Sequence, residues 1–296
     1  MTRISGPFVA IVTPFDDHED INEAALRRQV DRQAKAGNGV FCAGTNGEFY
    51  ALSFEEKVRV AEICVAEAAS RIPVLAHIGE ISTHQTIALG RIIETLDIKA
   101  MSAITPSFIA CSQAELINHY RRVADALSKP VYLYNIPART GNTIQPETAR
   151  ILADHPNIIG IKDSAGSQES LDGFLAIARE RQDFDVLVGP DSLVLHGLQN
   201  GAAGCISGLG NISPVTLNAI HSSFVAGDAA AAASHQDRYS ALRKELYVHG
   251  FPPAMVKRGL RLAMPDVGAS RAPLLISDEV DETLRKISRR YAEAVV

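Results

Sequence analysis

Short apolar runs alternate with longer stretches of helical period from the start of the chain to about residue 225. Eight of the runs read as strands: "FVAIV" (8–12), "GVFCA" (39–43), "PVLAH" (73–77), "AMSAI" (100–104), "PVYLY" (130–134), "IIGIK" (158–162), "DVLVG" (185–189) and "AGCIS" (203–207). Most are apolar nearly throughout, as parallel strands covered on both faces should be. Between them, Ser53 with Glu56 and Ser112 with Glu115 have the spacing of a capping box, in which side chains satisfy backbone donors left free at a helix start. Eight strand–helix units predict an α/β fold closed into a (β/α)8 barrel of the TIM type. A doubly wound open sheet would have fewer strands and a G-x-G-x-x-G turn after the first, and the sequence has no such turn. From about 226 the strand signal vanishes, and "AAAASHQDRYSALRKELYVHG", "PPAMVKRGLRLAM" and "SDEVDETLRKISRRYAEAVV" read as helices. The expected organisation is a barrel over 1–225 and a C-terminal helical extension over 226–296.

The connecting segments divide into two kinds. Those after strands are long and chemically varied ("TPFDDHEDIN", "GTNGEFYALS", "TPSFIACS", "NIPARTGNTIQ"), whereas those before strands are mostly short and plain. In barrels of this kind the loops after the strands build the active site. Lys162, at the end of "IIGIK", stands on that rim.

A lysine amine attacks a carbonyl only when neutral, and moving a free amine from a pKa of about 10.4 to about 7.5 takes roughly 4 kcal/mol, which desolvation in a barrel mouth can supply. Three isoleucines precede Lys162, and strand alternation permits it to point inward. The chemical reading is a Schiff-base nucleophile. The plainer alternative, a strand-end lysine that reaches solvent or pairs with Asp163, is the stronger one on "IKD" alone.

Three other stretches bear on the choice. "GTNGEF" (44–49) follows the second strand; its glycines permit backbone N–H groups to turn inward as an anion nest, with Thr45 and Asn46 adding side-chain hydrogen-bonding groups. It can equally be an ordinary turn before a capped helix. "YNIPARTG" (134–141) follows the fifth strand, so Tyr134 can reach Lys162 and shuttle a proton, and Arg139 can grip a carboxylate bidentately. The alternative is a buried tyrosine and a surface arginine. "GCISGLGN" (204–211) has small residues that admit a ligand to the backbone, and is a weak phosphate-cradle signal.

Composition narrows the partners. A formal net charge of -5 argues against nucleic acid and anionic membranes, which need a basic face. The four cysteines, Cys42, Cys64, Cys111 and Cys205, lie far apart without metal-ligand spacing, and read as reduced buried thiols. "MTRISGPFVAIVTPFDD" lacks the form of a signal peptide, and no apolar stretch approaches the roughly 20 residues of a membrane span, so the cytoplasm is the expected location.

Taken in order, "GPFVAIVTPF", "GTNGEFYALSFEEK", "ITPSF", "YNIPARTG", "GIKDSAG", "PAMVKRGL" and "RAPL" resemble the dihydrodipicolinate synthase and N-acetylneuraminate lyase family of pyruvate-dependent class I aldolases, nearly over the full chain. The resemblance implies a (β/α)8 barrel with a C-terminal helical extension, usually assembled as a tetramer of tight dimers, and neither metal nor cofactor. It implies Lys162 as the residue that forms the imine with pyruvate and Tyr134 as the proton shuttle. It implies Thr45 as the proton relay that, with the backbone of Asn46 and Gly47 after it, holds the pyruvate carboxylate. Ile206 would present its carbonyl near the imine, and Arg139 would grip the carboxylate of a second substrate.

Two departures from the synthase pattern are visible. Where the synthase has two tyrosines after "TP", the second entering the neighbouring subunit's site, this chain has Ser107 and Phe108, and phenylalanine fills the space but cannot pass a proton. Asn46 replaces the second threonine of "GTTGE". The expected activity is a 4-hydroxy-tetrahydrodipicolinate synthase-like condensation of pyruvate with aspartate semialdehyde. A 2-keto-3-deoxy sugar-acid aldolase or dehydratase is the alternative, suggested by Phe108 and Asn46; His77, at the end of the third strand, reads either as a contact to a hydroxylated substrate or, equally, as a satisfied strand-end histidine. Two rivals of other classes are a metal-dependent barrel enzyme using Asp16, Asp17, His18 and Glu48, and a non-catalytic 2-keto-acid sensor.

Overall fold

The computed structural model of the protein describes residues 4–291 and 293. The first three residues of the N-terminal segment, and residues 292 and 294–296 of the last predicted helical stretch, lie outside the described residues. Eight strands, β1 (Gly6–Ala10), β2 (Gly39–Cys42), β3 (Val74–His77), β4 (Ala100–Ile104), β5 (Val131–Asn135), β6 (Ile158–Asp163), β7 (Asp185–Val188) and β8 (Gly204–Ser207), close into one parallel barrel in chain order. Nearly every strand residue is buried, which is why these runs are apolar on both faces rather than alternating.

β1 lies two residues earlier than the apolar run suggests. Ile11 still donates to the Phe41 carbonyl at 3.1 Å, but the Val12 N–H goes to Asn211 Oδ1 at 3.1 Å, so a side chain takes over from the strand ladder. β5 and β6 each run one residue further, through the polar pair Asn135 and Asp163, which are opposite one another in register and joined by an Asn135 Nδ2 to Asp163 Oδ1 bond of 2.8 Å.

The chain divides into two compact units. One comprises Leu75–Ile206 with the residues up to Gly6. It carries the helices Thr83–Ile93, Gln113–Ala126, Pro146–Leu152 and Gln168–Glu180. Ser112 and Glu115 form the expected capping box at the second of these.

The other unit comprises Pro7–Val74 with Ser207–Val296. Its helices Glu23–Ala36 and Phe54–Ala68 pack together, the second opened by the Ser53–Glu56 capping box. The three C-terminal stretches predicted as helical appear as Ala229–Tyr247, Pro252–Ala263 and, after a 3-10 turn at Asp278–Val280, Asp281–Arg290. They pack on one another, and Ala229–Tyr247 packs on Pro214–Val225. The Glu293 carboxylate accepts the N–H groups of Val215 and Thr216 at 2.7 and 3.1 Å, supplying the first turn of Pro214–Val225 with an acceptor and a favourable charge.

All four cysteines are free thiols, but Cys111 is only partly buried, contrary to the expectation, because it lies on the surface loop after β4. Among the described residues no helix is long and apolar enough to cross a membrane.

Candidate active site

Lys162 is 3% exposed, and its Nζ lies 4.0 Å from the centroid of the Tyr134 ring. Register explains the meeting: β5 and β6 are hydrogen-bonded neighbours with Tyr134 opposite Lys162, so both side chains leave the same face of the sheet at the same level. One position further, Asp163 faces the other way and is occupied by Asn135 Nδ2, the Ala165 N–H and Ser170 Oγ. Both versions of the plainer alternative therefore fail: Lys162 does not reach solvent, and Asp163 is turned away from it. Burial raises the Asp163 carboxyl above its ordinary range, with the Asn135 and Ala165 bonds opposing.

His77, at the end of β3 and 2% exposed, presents its ring edge-on to Tyr134, with centroids 5.9 Å apart. Lys162, Tyr134 and His77 thus form one cluster. Gly160 admits the neighbouring strands: a Cβ there would stand 2.2 Å from the Asp185 carbonyl oxygen and 2.7 Å from the Tyr132 ring. Arg139 is exposed on a one-turn helix, Pro137–Thr140, whose loop is pinned by Thr105 Oγ1 donating to Thr140 Oγ1 at 2.7 Å. Ile206 is buried in β8. Phe108 fills no space within the single chain, being 95% exposed with φ of 72°.

Thr45 and Gly47 are buried in the loop after β2, and Asn46 is half-buried. Thr13 Oγ1 donates to the Gly47 carbonyl at 2.7 Å, Glu48 N–H to the Thr45 carbonyl at 3.2 Å, and Phe49 N–H to the Gly44 carbonyl at 3.2 Å. These bonds fold 44–49 into a tight turn. A Cβ at Gly208 would come within 2.9 Å of the Asn46 amide and one at Gly210 within 2.4 Å of Val9, so their smallness serves packing of the chain on itself.

Sequence reasoning missed the partner of that turn. Glu48, 1% exposed, has the left-handed φ of 56° and gives its carboxylate to Lys257 Nζ at 2.7 Å and to the Arg271 N–H at 3.1 Å. Lys257 is 1% exposed on the helix Pro252–Ala263, and its Nζ is 4.0 Å from the Phe15 ring centroid. Burial lowers its pKa to about 8, while the Glu48 charge and hydrogen bond pull it back up. The available signal was a lysine inside the apolar run "PPAMVKRGL", which a solvent-facing lysine would not need. Glu48 is therefore committed to an ion pair, and Asp16 Oδ1 to the N–H groups of His18 and Asp20. Among the described residues no three His, Cys, Asp or Glu side chains converge as a metal site.

A model of the dihydrodipicolinate synthetase family matches residues 3–290. A 4-hydroxy-tetrahydrodipicolinate synthase of Hyphomonas neptunium is 36% identical over 282 residues, covering 94% of this chain and 95% of its own. The crystal structure of a Bacillus anthracis dihydrodipicolinate synthase superposes with a TM-score of 0.92 at 28% identity, covering 99% of this chain and 100% of its own. The chloride-inhibited synthase of Acinetobacter baumannii, complexed with pyruvate, gives 0.91 at 30% identity over 97% of this chain and 98% of its own. With a match of that extent and that identity, the chain belongs to the dihydrodipicolinate synthetase family, enzymes of the class I, imine-forming aldolase type.

Proposed function

We propose that the protein condenses pyruvate with aspartate semialdehyde as a 4-hydroxy-tetrahydrodipicolinate synthase does, through an imine on Lys162. The observation that carries the reading is the buried Lys162 amine held 4.0 Å from the Tyr134 ring on a neighbouring strand. Nζ of Lys162 adds to the ketone carbon, and the carbinolamine loses water to leave a protonated imine. A methyl proton then departs, the resulting enamine carbon bonds to the aldehyde carbon, whose oxygen takes up a proton, and the semialdehyde's own amine attacks the imine carbon, closing the ring and expelling the Lys162 amine. Tyr134, relayed through Thr45, moves the protons. Thr45, Asn46 and Gly47 hold the pyruvate carboxylate, and the carbonyl of Ile206 stands near the imine. The iminium is itself the electron sink, so the chemistry calls for neither metal nor cofactor. Arg139, exposed on its helical turn, is suited to the carboxylate of the second substrate.

The family resemblance supports an assembly of tight dimers, and Phe108, at the position where the synthase's second tyrosine reaches a neighbouring subunit, is the exposed residue suited to that contact. The same resemblance supports a barrel over 1–225, a helical extension over 226–296 and a cytoplasmic location.

A second reading is favoured by Phe108, which cannot relay a proton, by Asn46 and by His77 beside Tyr134: cleavage or dehydration of a 2-keto-3-deoxy sugar acid. An assay of purified protein with pyruvate separates the two. The first reading predicts consumption of aspartate semialdehyde, and a KM for it raised roughly 10- to 100-fold in Arg139→Ala, the range of a lost charge-assisted bond. Cleavage of a sugar acid with aspartate semialdehyde untouched would reverse the order. Binding of pyruvate with no turnover of either would leave a sensor.

A further inference from the structure

The turn read above as the carboxylate site is braced by two residues from the far end of the sequence, one through its ammonium and one through its backbone. Lys257 Nζ meets Glu48 Oε1 at 2.7 Å, and the Arg271 N–H meets Glu48 Oε2 at 3.1 Å. The Arg271 guanidinium donates to the Ala51 carbonyl at 2.8 Å and to Glu56 at 2.7 Å, and lies 4.2 Å from the Phe15 ring centroid, the same ring that Lys257 approaches. Phe15 is itself fixed from the tail, since its N–H donates to the Val267 carbonyl at 3.1 Å and Gly268 is pressed so close that a Cβ would overlap the Phe15 carbonyl oxygen.

Glu48 follows Gly47 directly and adopts a left-handed backbone that an L side chain disfavours and that only surrounding contacts maintain. Its two carboxylate oxygens carry those contacts. A buried ion pair is seldom the most stabilising filling for such a space, because desolvation offsets most of the attraction and apolar residues of like volume do as well. What a charged, directional pair adds is position. We infer that Lys257 is a positioning residue for the 2-keto acid: acting through Glu48, its ammonium holds Thr45, Asn46 and Gly47 in the shape that receives the substrate carboxylate. The inference rests on the reading of 45–47 as the carboxylate site.

The test compares the wild type, Lys257→Met and the doubly neutral Glu48→Gln/Lys257→Met protein, measuring the KM for pyruvate, kcat, melting temperature and pyruvate–borohydride adduct on Lys162. Lys257→Met should raise the KM for pyruvate at least tenfold while kcat changes less than threefold, and should still form the adduct at saturating pyruvate. The double variant leaves no buried charge unpaired, so it should regain melting temperature but keep a raised KM. A purely structural role would instead restore both together. Wild-type KM in either folded variant, or a fall in kcat with KM unchanged, would overturn the inference, and the double variant decides if the single one does not fold. Absence of the adduct from the wild-type protein as well would point instead to failure of the underlying site reading.

Discussion

Lys162 and Lys257 are both nearly shut off from water, and their neighbours set them to different tasks. Lys162 shares its face of the sheet with Tyr134 and has its sequence neighbour Asp163 turned away, whereas Lys257 has a carboxylate at 2.7 Å. The proposed roles differ accordingly, imine formation at Lys162 and bracing of the Glu48 turn at Lys257. A third buried titratable group, His119, yields a prediction about stability. It is 4% exposed with Nδ1 2.9 Å from Thr83 Oγ1, and burial, aided by Arg122, lowers its pKa from 6.5 to about 4. The unfolded chain takes a proton at this residue near pH 6.5 while the folded chain resists it until about 4. Its contribution to stability is therefore complete above 6.5 and is lost as pH falls through that window, by about 1.4 kcal/mol per unit and about 3 kcal/mol in all. Urea unfolding at a series of pH values should show this slope in the wild type and a shallower one in His119→Gln. Parallel slopes would rule out His119 as the source.

At the scale of elements, most of what mattered was readable because it depends on neighbours in sequence. Parallel strands buried on both faces betray themselves as apolar runs, and a capping box is contained in four residues, so the barrel and the helix starts at Ser53 and Ser112 follow from local pattern. Chain order then predicts that β5 and β6 pair, which places Tyr134 near Lys162. Features that depend on distant partners were not readable. β1 stops at Ala10 because Asn211 captures the Val12 N–H, and Glu48 looks like an ordinary loop carboxylate until Lys257, 209 positions later, meets it. At Gly208 and Gly210, too, the neighbours that require a small residue are remote in sequence, the chain's own Asn46 and Val9.

At the scale of the whole molecule, Phe108 is, with Leu275, one of two large apolar side chains among the described residues that are almost fully exposed. A large aromatic that is 95% exposed, on a left-handed backbone with φ of 72°, gains nothing within one chain. Full burial of such a side chain is worth roughly 1.5–3 kcal/mol, and a two-fold assembly would count it twice. Sedimentation should therefore give a multiple of 31.8 kDa for the wild type and a shift toward the single chain in Phe108→Ser; a monomeric wild type at micromolar concentration would contradict the assembly. The enzymatic account itself turns on covalent chemistry at one amine. Incubation with pyruvate and borohydride, followed by peptide mass analysis, should locate a reduced pyruvyl adduct on Lys162 and none in Lys162→Ala. An adduct on another lysine, or none in the wild type, would contradict it.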